Sequence, residues 1–192
     1  LAFYKEYGIS VTFLTLGRGT AASEVLDAFG LEASEKAVQF AVVTAAEWKK
    51  VKKGLEHEIK IDIPGTGIAF VTPLSSIGGK RQLCFLTEDR GFEKEEESSL
   101  KGTDYELLVV IANQGYTDVI MDAARKANAT GGTVIHAKGT GMEKAEKFLG
   151  VSLAQEKEMI FMVTKTKDKN GIMQSIMKEA GIGSKAGAIV FS

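Results

Sequence analysis

The chain has 192 residues, with 24 Lys+Arg against 25 Asp+Glu, so it carries no net field to gather nucleic acid or an anionic membrane. Apolar residues at 44% and charged residues at 26% are the balance of a folded globular protein, long enough for one large or two small domains. No apolar run nears the roughly 20 residues of a bilayer crossing, Leu1 to Tyr7 lacks the basic-then-apolar layout of a signal peptide, and the single Cys84 excludes an internal disulfide framework. The expectation is a cytoplasmic protein.

In chain order, Ile9–Leu16 alternates as a strand, Ala21–Phe29 has helical spacing, and Ala37–Thr44 is again strand-like. Thr44-Ala-Ala-Glu47 is a capping box that opens a helix over Ala46–Leu55, with Trp48, Val51 and Leu55 as its buried stripe. Gly67–Thr72 reads as a strand. Arg81–Thr87 reads as one extra strand, and Glu88–Gly102 is an acidic, solvated linker.

The next stretch is richer. Tyr105–Ala112 is a continuous apolar run, the mark of a central strand buried on both faces. Val119, Ile120, Ala123, Ala124 and Ala127 recur at helical spacing, with Gly131 or Gly132 expected to cap the helix. Thr133–Lys138 alternates, Ile135 and Ala137 facing one way and Val134, His136 and Lys138 the other. Glu158–Thr164 is another apolar strand. Ile172, Met173, Ile176, Met177 and Ala180 form an amphipathic helix closed by Gly181, and Gly187–Ser192 is the last strand. The order β-α-β-loop-β-α-β is a ferredoxin-like split pair of βαβ units.

The chain also matches itself. Val11–Gly19 lines up with Leu107–Gly115 at an offset of 96, while Gln39–Thr44 matches Met159–Thr164, and Thr66–Thr72 matches Ala186–Ser192, both at 120. The expected class is therefore α+β, two tandem ferredoxin-like repeats with antiparallel sheets and helices on one face. Residues 8–79 form a degenerate copy without the edge hairpin and the loop after it, 80–104 an extra strand and acidic linker, and 105–192 a full copy.

Thr130-Gly-Gly-Thr-Val-Ile-His-Ala-Lys-Gly-Thr-Gly141 resembles the helix end, second strand and Lys-Gly-x-Gly T-loop base of the PII family of signal-transduction proteins. The resemblance implies a regulatory protein of nitrogen metabolism that assembles as a homo-oligomer, usually a trimer with sheets facing inward. It also implies adenine nucleotides (AMP, ADP or ATP) in clefts between subunits, and a loop over 142–155 that reports occupancy to a protein target. Carried over residue by residue, Gly131 and Thr133 would line the base and ribose. Lys138, Gly139, Thr140 and Gly141 would form the T-loop base, where absent Cβ atoms let a ligand approach main chain. Gly183, Ser184 and Lys185 would face phosphate through an amide nest and a point charge. Met142 and Glu143 replace the family's Arg-Gln, which weakens the case for 2-oxoglutarate; the Glu143 carboxylate could still ligate a magnesium ion, though no metal ligand is named.

Lys138 is equally well read as a charge closing an edge strand, and His136 as a solvent or interface histidine. His57, His136 and Cys84 lack ligand spacing, so no metal site is expected. No nucleophile–base or paired-carboxylate arrangement appears, and no catalytic residue is named. The leading expectation is a non-enzymatic sensor without a resident cofactor. The alternative is an oligomeric structural module that binds no small molecule.

Overall fold

The computed structural model of the chain describes residues 2–9, 11–18, 35–63, 66–91, 103–140 and 156–192. Its elements are α1 (Ala2–Glu6), β1 (Thr12–Arg18), β2 (Glu35–Ala41), α2 (Ala45–His57), α3 (Lys80–Thr87), β3 (Tyr105–Asn113), α4 (Thr117–Lys126), β4 (Thr133–Thr140), β5 (Glu156–Lys165), α5 (Thr166–Ala180) and β6 (Ile189–Phe191). The six strands form one sheet in the order β2-β1-β4-β5-β3-β6, every neighbouring pair antiparallel. None of the helices among the described residues is long and apolar enough to cross a membrane.

The last four strands, with α4 and α5, are the ferredoxin-like unit expected from the sequence. β3 lies between β5 and β6, which is why Leu108 to Ala112 are buried without a break. Its even-numbered residues Leu108, Val110 and Ala112 join Ile160 and Met162 of β5 under α4 and α5, where Ile120, Ala123, Ile172 and Ile176 close the core. Gly132 admits the chain to this layer: a Cβ there would stand 2.9 Å from Met162 Cγ. The end of α4 is made by Asn128, left-handed at φ 74°, and not by Gly131 or Gly132 as the sequence suggested. An asparagine side chain tolerates that conformation well.

The class stands, but the number of sheets and the placing of helices differ from the sequence reading. Among the described residues there is one sheet, because β1 pairs with the open edge of β4 (Phe13 opposite Gly139, Leu14 opposite Lys138) and carries β2 along with it. Joining an existing edge satisfies strand amides that a second small sheet would leave open. The helices lie on both faces. Residues 81–87 are helix, not strand: Gln82, Phe85 and Leu86 recur at three and four, and Phe85 and Leu86 cover Val109, Ile111 and Met159 on the face opposite α5. A four-residue apolar run such as Leu83–Leu86 fits either period, and only the surface to be covered decides it. Gly79 at φ 92° turns the chain into α3, and Glu88 and Asp89, both left-handed, turn it out.

Residues 67–72 form no strand. The chain reaches the sheet just beyond them, where Ser75 N–H and Gly78 N–H donate to Ser192 O and Val190 O, and Ser192 N–H donates to Ser76 O. Gln82 completes the outer edge of β6: its Oε1 accepts from Val190 N–H at 2.8 Å and its Nε2 donates to Ala188 O at 3.2 Å. At the other end α2 starts as expected, with Thr44 Oγ1 accepting from Glu47 N–H and Glu47 Oε2 accepting from Thr44 N–H. Arg90 ties this start to the end of α3, at 2.7 Å from Glu47 and 2.9 Å from Thr87 O. The expected helix 21–29 and the linker 92–102 lie outside the described residues.

Candidate functional site

β4 leaves the sheet at Thr140 and β5 enters it at Glu156, so one end of the sheet carries whatever 141–155 does. Antiparallel register fixes what faces what there: Lys138 opposes Glu156, Ala137 opposes Lys157, and Lys157 opposes Asn113 of β3. Lys157 is 3% exposed, and its Nζ donates to Asn113 Oδ1. Asn113 Nδ2 in turn donates 2.8 Å to Lys185 O, joining β5 through β3 to the loop between α5 and β6. Burial penalises the ammonium and draws the Lys157 pKa down to about 8.

The neighbouring Glu158 points to the other face. Its Oε2 accepts from Thr117 Oγ1 at 2.7 Å and from Gly115 N–H at 3.2 Å, so a buried carboxylate holds the β3–α4 turn and faces the positive end of α4. His136 Nδ1 stands 3.9 Å from Glu158 Oε1. Lys138 and Glu156 are 3.6 Å apart but both exposed, so their attraction is weak. Among the described residues no group of three or more His, Cys, Asp or Glu side chains comes together.

The expected site residues fall at two places. Lys138, Gly139 and Thr140 of β4 lie at this end, and Gly183, Ser184 and Lys185 are brought there by the Asn113 bridge. Gly131 and Thr133 lie at the opposite end of β4, roughly 20 Å from Gly139 at ~3.3 Å per residue. One chain does not bring the two sets together. A Cβ on Gly131 would meet nothing within 4 Å. Ser184 is held within its own turn, N–H and Oγ both donating to Gly181 O, and Gly187 N–H donates to Ser184 O. Lys138 does not close an edge, since β1 lies beyond it, and Gly139 faces Phe13. Gly141 and Glu143 lie outside the described residues.

Residues 105–191 match the family model described as nitrogen regulatory protein P-II. This C-terminal part of the chain, the P-II unit below, is similar to the P-II family. Members of that family are regulatory proteins, typically trimeric, that act on protein targets. No curated protein sequence gives a match. Sequence reading gave no role to Asn113, Lys157 or Glu158, because the expected strands ended at Ala112 and began at Glu158, leaving the Asn113–Lys157 pair outside both. The available signal was the charged run Glu156-Lys157-Glu158 leading the apolar Met159–Val163.

Proposed function

We propose that this chain is a non-enzymatic sensor whose P-II unit binds a small anionic effector, an adenine nucleotide, and reports it to a protein target through the 142–155 loop. The observation that carries the reading is the family match over a sheet whose Thr140–Glu156 end carries Lys138 and, through Asn113, joins Lys157 to the 183–185 loop. Phosphate oxygens suit the exposed ammonium groups of Lys138 and Lys185. The effector site needs a second protomer to add Gly131 and Thr133, in keeping with a trimer. A strip for that contact is open on the α3 face of the sheet, where exposed Leu107 and Val163 oppose each other beside Tyr105. Glu143 is the proposed magnesium contact, and nitrogen metabolism the setting by family.

Thermal shifts against AMP, ADP and ATP, with and without magnesium, test the proposal. A hundredfold excess over Kd stabilises by about 2.7 kcal/mol, and Lys185→Ala lowers that affinity without lowering the melting temperature of the free protein. No shift with any nucleotide overturns it. The second reading, an oligomeric structural module without small-molecule ligand, draws on β1 covering the Gly139 edge and on Ser184 being bonded within its own turn. That reading requires no shift and an intact oligomer by native mass.

A further inference from the structure

Asn113 ends β3 and is bonded in three directions. Its Oδ1 accepts from Lys157 Nζ, its Nδ2 donates 2.8 Å to Lys185 O, and its main-chain N–H donates 2.9 Å to Ala186 O. Register puts it directly opposite Lys157, one residue after β5 begins. β5 and β6 are not neighbours in the sheet, since β3 lies between them. The head of β5 and the loop that leads into β6 therefore meet in one side-chain amide.

Donor and acceptor chemistry allows that amide one orientation. An ammonium donates and never accepts, so the amide oxygen must face Lys157, and its nitrogen is then left for Lys185 O. Among the described residues that oxygen is the one acceptor Lys157 Nζ reaches, and Lys157 is buried. Turning the amide over would set ammonium against NH2 and carbonyl against carbonyl, leaving buried groups unpaired. On the far side, Ser184 N–H donates to Gly181 O and Gly187 N–H to Ser184 O, so the loop closes on itself around Lys185. Lys185 O is held from outside that turn, by Asn113. A planar trans peptide has its plane fixed once its oxygen is fixed, so this bond sets the backbone from which the exposed Lys185 side chain leaves.

We propose that Asn113 is the positioning residue of the 183–187 loop: oriented by Lys157, its amide sets the Lys185–Ala186 peptide and so couples the head of β5 to that loop. Lys157 touches no residue of the loop, and its influence passes through the amide it orients. A slip of one residue at the head of β5 would turn Lys157 to the other face and release the amide. The proposal rests on the effector reading above only for the loop's ligand, because the coupling belongs to the free chain.

The test is a double-mutant cycle on the full chain without ligand, read by amide hydrogen exchange at Ser184 and Gly187, with the Val110 amide reporting global opening. Lys157→Met removes the ammonium that orients the amide, and Asn113→Leu removes the amide itself. Each is expected to speed exchange at Ser184 and Gly187 about fivefold beyond any change at Val110, the equivalent of one hydrogen bond. Lys157→Met adds nothing further in the Asn113→Leu background. Asn113→Asp keeps the acceptor for Lys157 and loses only the donor to Lys185 O, so it frees the same two amides, and it serves where a buried unpaired ammonium unfolds Asn113→Leu. Unchanged exchange at Ser184 and Gly187 in Lys157→Met or in Asn113→Asp overturns the proposal. An equal further rise on adding Lys157→Met to Asn113→Leu overturns it too, because Lys157 would then act by another route. ADP added to wild type separates the two readings: no binding defeats the effector reading, while the coupling is still decided by the amides.

Discussion

β1, β2 and α2 begin 121 residues before β4, β5 and α5, yet the N-terminal region and the P-II unit bury very different cores. Among the described residues the P-II cluster holds seventeen buried residues from three strands, two helices and the loops beside them, whereas the cluster under α2 holds Ile9, Val51 and Leu55, ringed by half-buried Phe3, Tyr4, Tyr7 and Trp48. β3 lies between β5 and β6, whereas among the described residues no strand pairs with the side of β2 away from β1. A central strand contributes side chains to both faces at once, so its presence or absence decides burial out of proportion to its length.

The largest expected effect breaks this comparison if it fails. Ile176→Ala, at 0% exposure, removes methylenes from a site with no room to collapse and destabilises by about 3–4 kcal/mol, with loss of protection throughout the P-II unit. Leu55→Ala, beside half-exposed rings that can settle into the space, loses about 2 kcal/mol and protection only in α2 and β2. Urea unfolding with hydrogen exchange reads both. Equal losses would mean that the two cores are equally complete.

The next effect separates two lysines at the same relative position. The interval of 121 takes Lys157, at 3% exposure, to Lys36, which is exposed. The Lys157 pKa lies near 8 in the fold against 10.5 for an unburied lysine. Between those values the unfolded chain binds the extra proton, so stability rises with pH from about 8 to about 10.5, by roughly 3 kcal/mol in all. Lys157→Met flattens that rise and Lys36→Met leaves it unchanged. A smaller effect is expected at Gln82→Ala, which strips partners from Val190 N–H and Ala188 O at the edge of β6 and costs about 2 kcal/mol. Gln82→Glu retains the acceptor for Val190 N–H but loses the donor to Ala188 O, and recovers part of the loss in thermal melts.

Much of the P-II unit was legible because local and global signals agree there. The unbroken run of β3, the alternation of Ile135 and Ala137 against His136 and Lys138, and the stripe on α5 each admit one period. The Thr44–Glu47 cap was legible for the same reason, as a bond between residues three apart. α3 was not, because residues 81–87 satisfy two periods and Val109 and Ile111, the surface that selects one, lie far along the chain. The site divides the same way. Lys138 and the Gly183–Lys185 loop were visible as residue types, but the Asn113–Lys157 bridge exists only through register, which pairs residues 44 apart and which a slip of one would send to the other face.

The smallest effect concerns the join between the two regions. Ser75 Oγ and Lys169 Nζ both donate to Glu106 Oε2, at 2.7 and 2.9 Å, where residues 75–78 strap the N-terminal region to β6. Burial by itself raises the Glu106 carboxyl, but hydrogen bonds from Lys169 and Ser75, the Lys169 charge and the Ser192 hydroxyl outweigh it and hold the group below the usual 4.5. A carboxyl lowered in the fold contributes stability above its unfolded value and loses it as pH falls through the folded one. Glu106→Gln therefore costs about 1 kcal/mol at neutral pH, and wild type and variant converge on acidification below about pH 4. Exchange of the Ser75 and Gly78 amides distinguishes a loosened strap from a general loss. If acid frees those two amides while α4 and α5 stay protected, the N-terminal region is held to the P-II unit at this edge by charge as well as by backbone pairing. If all of them open together, the strap is part of the P-II core and the two regions unfold as one.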